Sequence, residues 1–125
     1  MSQAFSSTPT VRNLSPAEFT QLPEAPLLID VRSALEFRAG HAPKARNLSL
    51  PRILLGLGGW RWILPKWFRQ LSHDQPIAVV CLTAHRSPIA AKQLVKDGFT
   101  TVYNITGGMM AWRRQGPDAQ SQNQD

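Results

Sequence analysis

One cysteine, Cys81, in 125 residues excludes an internal disulfide, a Cys-x-x-Cys redox couple and any thiolate-rich zinc site. Sulfur or redox chemistry at Cys81 must pass to another molecule, and a chain so poor in cysteine is expected in the reducing cytoplasm. The three histidines, His41, His73 and His85, have no ligand-like spacing with each other or with Cys81, so no metal is expected. Long apolar runs are missing too. The most apolar stretch, Ile53 to Leu64, is interrupted by Gly56, Gly58, Gly59 and Arg61, well short of the roughly 20 residues that span a bilayer. Residues 1–10 lack the basic start and apolar core of a secretory signal, so no export is expected. Neither phosphate-loop pattern, G-x-x-x-x-G-K-[ST] or G-x-G-x-x-G after a strand, is present, so no nucleotide cofactor is implied. Gly107-Gly108 reads instead as a tight turn before a helix carrying Met109, Met110 and Trp112.

What is there fits one globular domain. The apolar fraction is 42%, and 14 Lys plus Arg against 8 Asp plus Glu give a net charge of +6. The basic residues are scattered, with only local pairs such as Arg113-Arg114. That excess attracts small anions and does not amount to a nucleic-acid face. Residues 11–116 are expected to fold, flanked by a flexible N-terminal segment, 1–10, and a flexible polar tail, 117–125.

Leu27 to Asp30, Ile77 to Val80 and Val102 to Ile105 are short apolar runs, the pattern of strands buried on both faces. Helical signals lie between them. Ser15-Pro16-x-Glu18 starts one helix with a capping box, Ser33 to Ala39 forms a second that ends at Gly40, and Ser87-Pro88 opens a third that stops near Gly98. Alternating strands and helices predict an α/β fold with a mainly parallel sheet covered on both sides. In Leu50 to Leu71, the residues Trp60, Ile63, Leu64, Trp67, Phe68 and Leu71 fall at helical spacing, and Pro65 must begin, kink or split the helix. The segment reads as an amphipathic element packed on the sheet. The sharper alternative leaves Trp60, Trp62 and nearby basic side chains exposed, as a lid or as a surface for a membrane or a partner.

The segment richest in chemistry is Val79-Val80-Cys81-Leu82-Thr83-Ala84-His85-Arg86-Ser87-Pro88. It reads strand, loop, helix, with Cys81 just past the carboxyl end of a strand, where open parallel sheets bind ligands. A loop curled there turns its backbone N–H groups inward, and the following helix adds its positive end. Such a cradle lowers the pKa of a thiol and makes it nucleophilic, and Arg86 adds a group able to grip an oxyanion. Against this, a lone cysteine after an apolar strand is most often an inert small hydrophobe. The joint placement of Cys81, a four-residue spacer, Arg86 and a Ser-Pro helix start favours the functional reading.

Asp30-Val31-Arg32, Glu36-Phe37, Gly40-His41 and Ala45-x-Asn47-Leu48 before this loop, with Thr106-Gly107-Gly108 and Trp112 after it, resemble the signatures of the rhodanese family of sulfurtransferases over residues 11–116. The resemblance implies a five-stranded, mainly parallel sheet with helices on both faces. It also implies transfer of sulfane sulfur from a small anionic donor, thiosulfate or a persulfide, through a persulfide on Cys81 to cyanide or a thiol, a protein thiol included. Leu82, Thr83, Ala84, His85, Arg86 and Ser87 would then form the substrate cradle. Asp30, Arg32, Glu36 and His41 would support it structurally, as a polar network holding the loop between sheet and helix. The six positions from Cys81 to Arg86 match the loop length of the sulfurtransferases; the related phosphatases have one more, so phosphatase activity is disfavoured. Four positions depart from the family pattern: Lys44 and Ala84 replace glycines, Ser49 a proline, and Leu82 a basic residue common in members that prefer thiosulfate. His85 reads equally as an acid that tunes Cys81 and as an exposed loop residue. The rival from another class is a binding or regulatory module that keeps the fold without turnover. Nucleic acid is not an expected partner, and peripheral membrane contact through the tryptophan segment has weak support.

Overall fold

The computed structural model describes residues 10–83 and 85–115. Residues 1–9 and 116–125, which include nearly all of both segments read as flexible, and Ala84 of the cradle lie outside the described residues. Five strands, β1 (Val11–Leu14), β2 (Leu27–Asp30), β3 (Arg46–Asn47), β4 (Ile77–Val80) and β5 (Val102–Ile105), form one sheet in the order β1-β5-β4-β2-β3. Every neighbouring pair is parallel. Six helices occur among the described residues: α1 (Pro16–Thr20), α2 (Ala34–Ala39), α3 (Leu50–Leu57), α4 (Lys66–Arg69), α5 (Ser87–Asp97) and α6 (Gly108–Gln115). A 3-10 turn spans Arg61–Ile63.

β4 is the central strand and is buried along its whole length. Because side chains alternate across a strand, Ile77, Val79 and Cys81 pack on one face with Ile53, Leu64, Phe68 and Leu94, from α3, α4, α5 and the connection between α3 and α4. Ala78 and Val80 pack on the other face with Phe19 of α1 and Met109 and Trp112 of α6. Both faces are thus covered, as a parallel sheet requires.

The three strands read from apolar runs are present. The structure adds β1 and β3, which the sequence reading did not separate. Both are edge strands: β1 is exposed at its two middle residues and β3 has only two residues, so neither carries an apolar run. The helix starts follow their capping residues. The Ser15 hydroxyl accepts from the Glu18 N–H at 3.1 Å while the Glu18 carboxylate accepts from the Ser15 N–H at 2.7 Å, and Ser33 and Glu36 do the same at the start of α2. Gly40 ends α2, and Gly98, at φ +120°, ends α5.

The segment after β3 takes one of the courses expected at Pro65, and its exposed Trp60 and Trp62 follow the sharper alternative. α3 ends at Gly58, the 3-10 turn follows, and Pro65 caps α4, so the proline splits the run. Leu64 and Phe68 are buried, with Leu64 filling the space that a Cβ on Gly56 would need. Trp60 falls off the stripe and lies exposed, because the helical period stops at Gly58 before reaching it.

Candidate active site

β4 delivers Cys81 to the end of the sheet, where the sulfur faces the start of α5. The Cys81 thiol donates to Ser87 Oγ at 3.3 Å, and the backbone N–H groups of Ser87, Arg86 and His85 also bear on the sulfur. Burial pushes the Cys81 pKa up, but the Ser87 hydroxyl and these three amides outweigh it, and the net shift is down. The residue is only 1% exposed, so the cradle covers the sulfur as well as polarising it.

Ser87 has a second partner: its hydroxyl donates to Asn104 Oδ1 at 2.5 Å, and Asn104 Nδ2 donates to Asn13 Oδ1 at 3.1 Å. Asn13 and Asn104 face each other in register across β1 and β5. A polar line therefore runs from the sulfur to the sheet edge. When the sulfur is anionic, the Ser87 proton has two acceptors and can turn from Asn104 to the thiolate. The sequence reading missed Asn13 and Asn104; the available signal was a polar residue inside the apolar run Val102 to Ile105.

The loop is held from behind by α6. The N–H of Met109 donates to the Cys81 carbonyl at 2.7 Å and that of Met110 to the Leu82 carbonyl at 3.1 Å, so the unpaired amides of the first helical turn are satisfied by the root of the loop. Gly108 makes this approach possible. It stands at φ +59°, and a Cβ there would run into the backbone of Cys81 and Leu82.

Arg86 does not present its guanidinium to the cradle. It forms two hydrogen bonds to Glu36 of α2, at 2.8 and 3.0 Å. The Arg86 hydrogen bonds are the main reason that the Glu36 carboxyl is held down from its ordinary 4.5 to about 2, and Glu36 in turn raises Arg86. Arg86 thus meets the sulfur through its backbone N–H while its side chain clamps the loop to α2. Of the other residues expected in the cradle, Leu82 packs with the α1 and α6 side of the core, Thr83 is half-buried and the His85 side chain is exposed.

The four support residues make a framework beside the sulfur without touching it. Asp30 and Arg32 are both buried; Arg32 Nη2 donates to Asp30 at 2.8 Å and to the Gly40 carbonyl at 2.7 Å. Asn47 Nδ2 donates to the carbonyls of Asp30 and Arg32 at 3.0 and 2.8 Å, which fastens β3 to the end of β2. His41 Nδ1–H donates to the Phe37 carbonyl at 2.8 Å, and its ring stacks on Phe37. A largely apolar cleft of about 400 Å³ opens between the starts of α2 and α3, lined by Val31, Ser33, Ala34, Ser49, Leu50, Pro51 and Arg86. Val31 also packs in the cluster that contains Cys81, so the cleft opens beside the part of the core that holds the sulfur.

Comparison with known proteins agrees with this fold. The family model for the rhodanese-like domain matches residues 15–115. A rhodanese-related protein from Thermoplasma volcanium superposes with a TM-score of 0.69 at 24% identity, covering 87% of this chain and 97% of the other. The polysulfide-sulfur transferase homodimer of Wolinella succinogenes gives 0.66 at 28% identity over 96% of this chain and 85% of the other. A protein of unknown function from Rhodopseudomonas palustris, described as a possible tyrosine phosphatase, gives 0.71 at 24% identity over 93% and 88%.

Proposed function

The chain belongs to the rhodanese-like domain family, and on that premise we propose that it is a sulfurtransferase whose Cys81 carries sulfane sulfur as a persulfide. The observation that carries this reading is the convergence of the Ser87 hydroxyl and three consecutive amides on the chain's one thiol, at the end of the central strand. The Cys81 thiolate attacks the outer sulfur of the donor. The donor's S–S bond breaks, and its electron pair leaves on the remaining fragment, sulfite from thiosulfate or a thiolate from a persulfide. The negative charge then rests on the terminal sulfur of the Cys81 persulfide, within reach of fixed N–H dipoles that need no rearrangement. In the second half, cyanide or a thiolate attacks that terminal sulfur, and the bonding pair returns to Cys81.

Two features favour a monoanionic persulfide or polysulfide over dianionic thiosulfate. The Arg86 guanidinium is already paired with Glu36, and Leu82 brings no charge to the cradle. Transfer also requires the covering loop to part from the cleft, since the sulfur is buried. That burial supports the second reading, a module of the same fold that binds without turnover.

Mass spectrometry decides between them. After incubation with polysulfide, a gain of about 32 Da on Cys81, absent in Cys81→Ser, is expected for persulfide formation. No adduct from either polysulfide or thiosulfate overturns the proposal and leaves the binding module, while turnover of an aryl phosphate overturns it in favour of phosphatase chemistry.

A further inference from the structure

On the side of the sheet where α3 packs over Cys81, the molecule carries an apolar surface that its own fold does not cover. The outer face of α3 presents Leu54 and Leu55, 37% and 51% exposed, with Arg52 as its one charge. The chain then returns through Trp60 and Trp62, 55% and 75% exposed, whose rings stack with centroids 6.3 Å apart. The platform is fixed. The Trp60 N–H donates to the Leu55 carbonyl at 3.1 Å, and Arg52 Nε donates to the Ile63 carbonyl at 2.5 Å, tying the 3-10 turn to α3. Two tryptophans and two leucines are thus held side by side in water, where monomeric domains seldom leave such a patch without a use.

Charge selects the occupant. Residues 37–73 contain seven Lys and Arg and no Asp or Glu. Of these, Arg52 and Arg61 belong to the patch segment and Lys66 and Arg69 follow it on α4, and all four are exposed. The acid that reaches the patch is Asp97 of α5, which bonds Arg61 at 3.3 Å and His73 at 3.2 Å. An apolar platform with interfacial tryptophans and a cationic surround matches the layered chemistry of an anionic bilayer surface, with acyl chains beneath and phosphates above. Single-stranded nucleic acid fits less well, because Leu54 and Leu55 offer no ring to stack on a base.

We propose that the domain docks peripherally on anionic membranes through Leu54, Leu55, Trp60 and Trp62, with Arg52, Arg61, Lys66 and Arg69 against the lipid phosphates. The docking is independent of the sulfur chemistry. Its consequence for the cleft is geometric: Leu50 and Pro51, at the start of α3, line the cleft that Arg86 shares, so docking brings that cleft beside the bilayer.

The test is co-sedimentation of the full chain with phosphatidylcholine vesicles with and without phosphatidylglycerol, beside Trp60→Ser/Trp62→Ser checked for an unchanged circular dichroism spectrum. The wild type is expected to sediment with the anionic vesicles, to be released by salt, and to shift its tryptophan emission to the blue. The double variant should partition roughly tenfold more weakly. The proposal fails if the wild type stays in the supernatant with anionic vesicles, or if the double variant binds as well as the wild type. It fails equally if the patch serves another partner, seen as a dimer that the double variant breaks, or as binding to single-stranded RNA, with no vesicle binding in either case.

Discussion

Arg86 and Glu36, fifty residues apart in sequence, are joined by two hydrogen bonds of 2.8 and 3.0 Å, and this pair locks the cysteine loop to the first turn of α2. The Glu36 pKa falls from 4.5 to about 2 on folding, chiefly through Arg86. A carboxyl with a depressed folded pKa contributes stability that is fully present above its unfolded value and is lost as pH falls toward its folded one. The pair therefore weakens between about pH 4.5 and pH 2. Both side chains are about one-third exposed, so solvent screening limits the contribution to about 1 kcal/mol. Urea unfolding of Glu36→Gln should show that loss at neutral pH and almost none near pH 2, while sulfur transfer slows severalfold because the loop is no longer clamped.

Ser87→Ala removes the hydroxyl that faces both Cys81 and Asn104. The Cys81 pKa should rise toward that of free cysteine. Transfer then falls at neutral pH and recovers at alkaline pH, a profile that a purely structural defect would not give. Leaving Asn104 Oδ1 buried without its donor should also cost about 1–3 kcal/mol in urea unfolding. Ser87→Thr, which keeps a hydroxyl, should retain the wild-type pH profile.

Gly108→Ala places a methyl group against the backbone of Cys81 and Leu82 at a positive φ. The root of the loop must move. Destabilisation above about 2 kcal/mol and loss of most transfer activity are expected, with faster amide exchange at Met109 and Met110, whose N–H groups hold that root.

Lys44 is the one described residue other than glycine with a positive φ, at +66°. That conformation costs a side chain about 1–2 kcal/mol. Glycine removes the strain but adds about 0.4–1 kcal/mol of unfolded-state entropy. Lys44→Gly should therefore raise stability by about 0.5 kcal/mol, seen as a small increase in Tm, with transfer unchanged.

These residues also show where sequence reasoning succeeds and stops. The central strands and helix starts were legible because their causes are local: largely apolar runs in β2, β4 and β5, and a capping box at Ser15. The strand-loop-helix position of Cys81 was legible for the same reason. β1 and β3 were hidden because an edge strand needs no apolar run. The Arg86 partner was hidden because a bond spanning fifty residues leaves no periodic trace, so an arginine read as an oxyanion grip turned out to hold Glu36. Trp60 fitted a helical spacing on paper, but α3 stops two residues before it. Asn104 had a trace in the sequence, a polar residue in a buried strand, but its partner Ser87 lies on another element.

The claim on which the rest depends is that the cradle favours a negative sulfur at Cys81. Its most direct measurement is the ultraviolet thiolate absorbance of the folded protein across pH, with Cys81→Ser subtracted to remove the tyrosine and tryptophan background. A transition clearly below the roughly 8.5 of free cysteine is the predicted result. A transition at or above that value would show that burial outweighs the amides and would contradict the account.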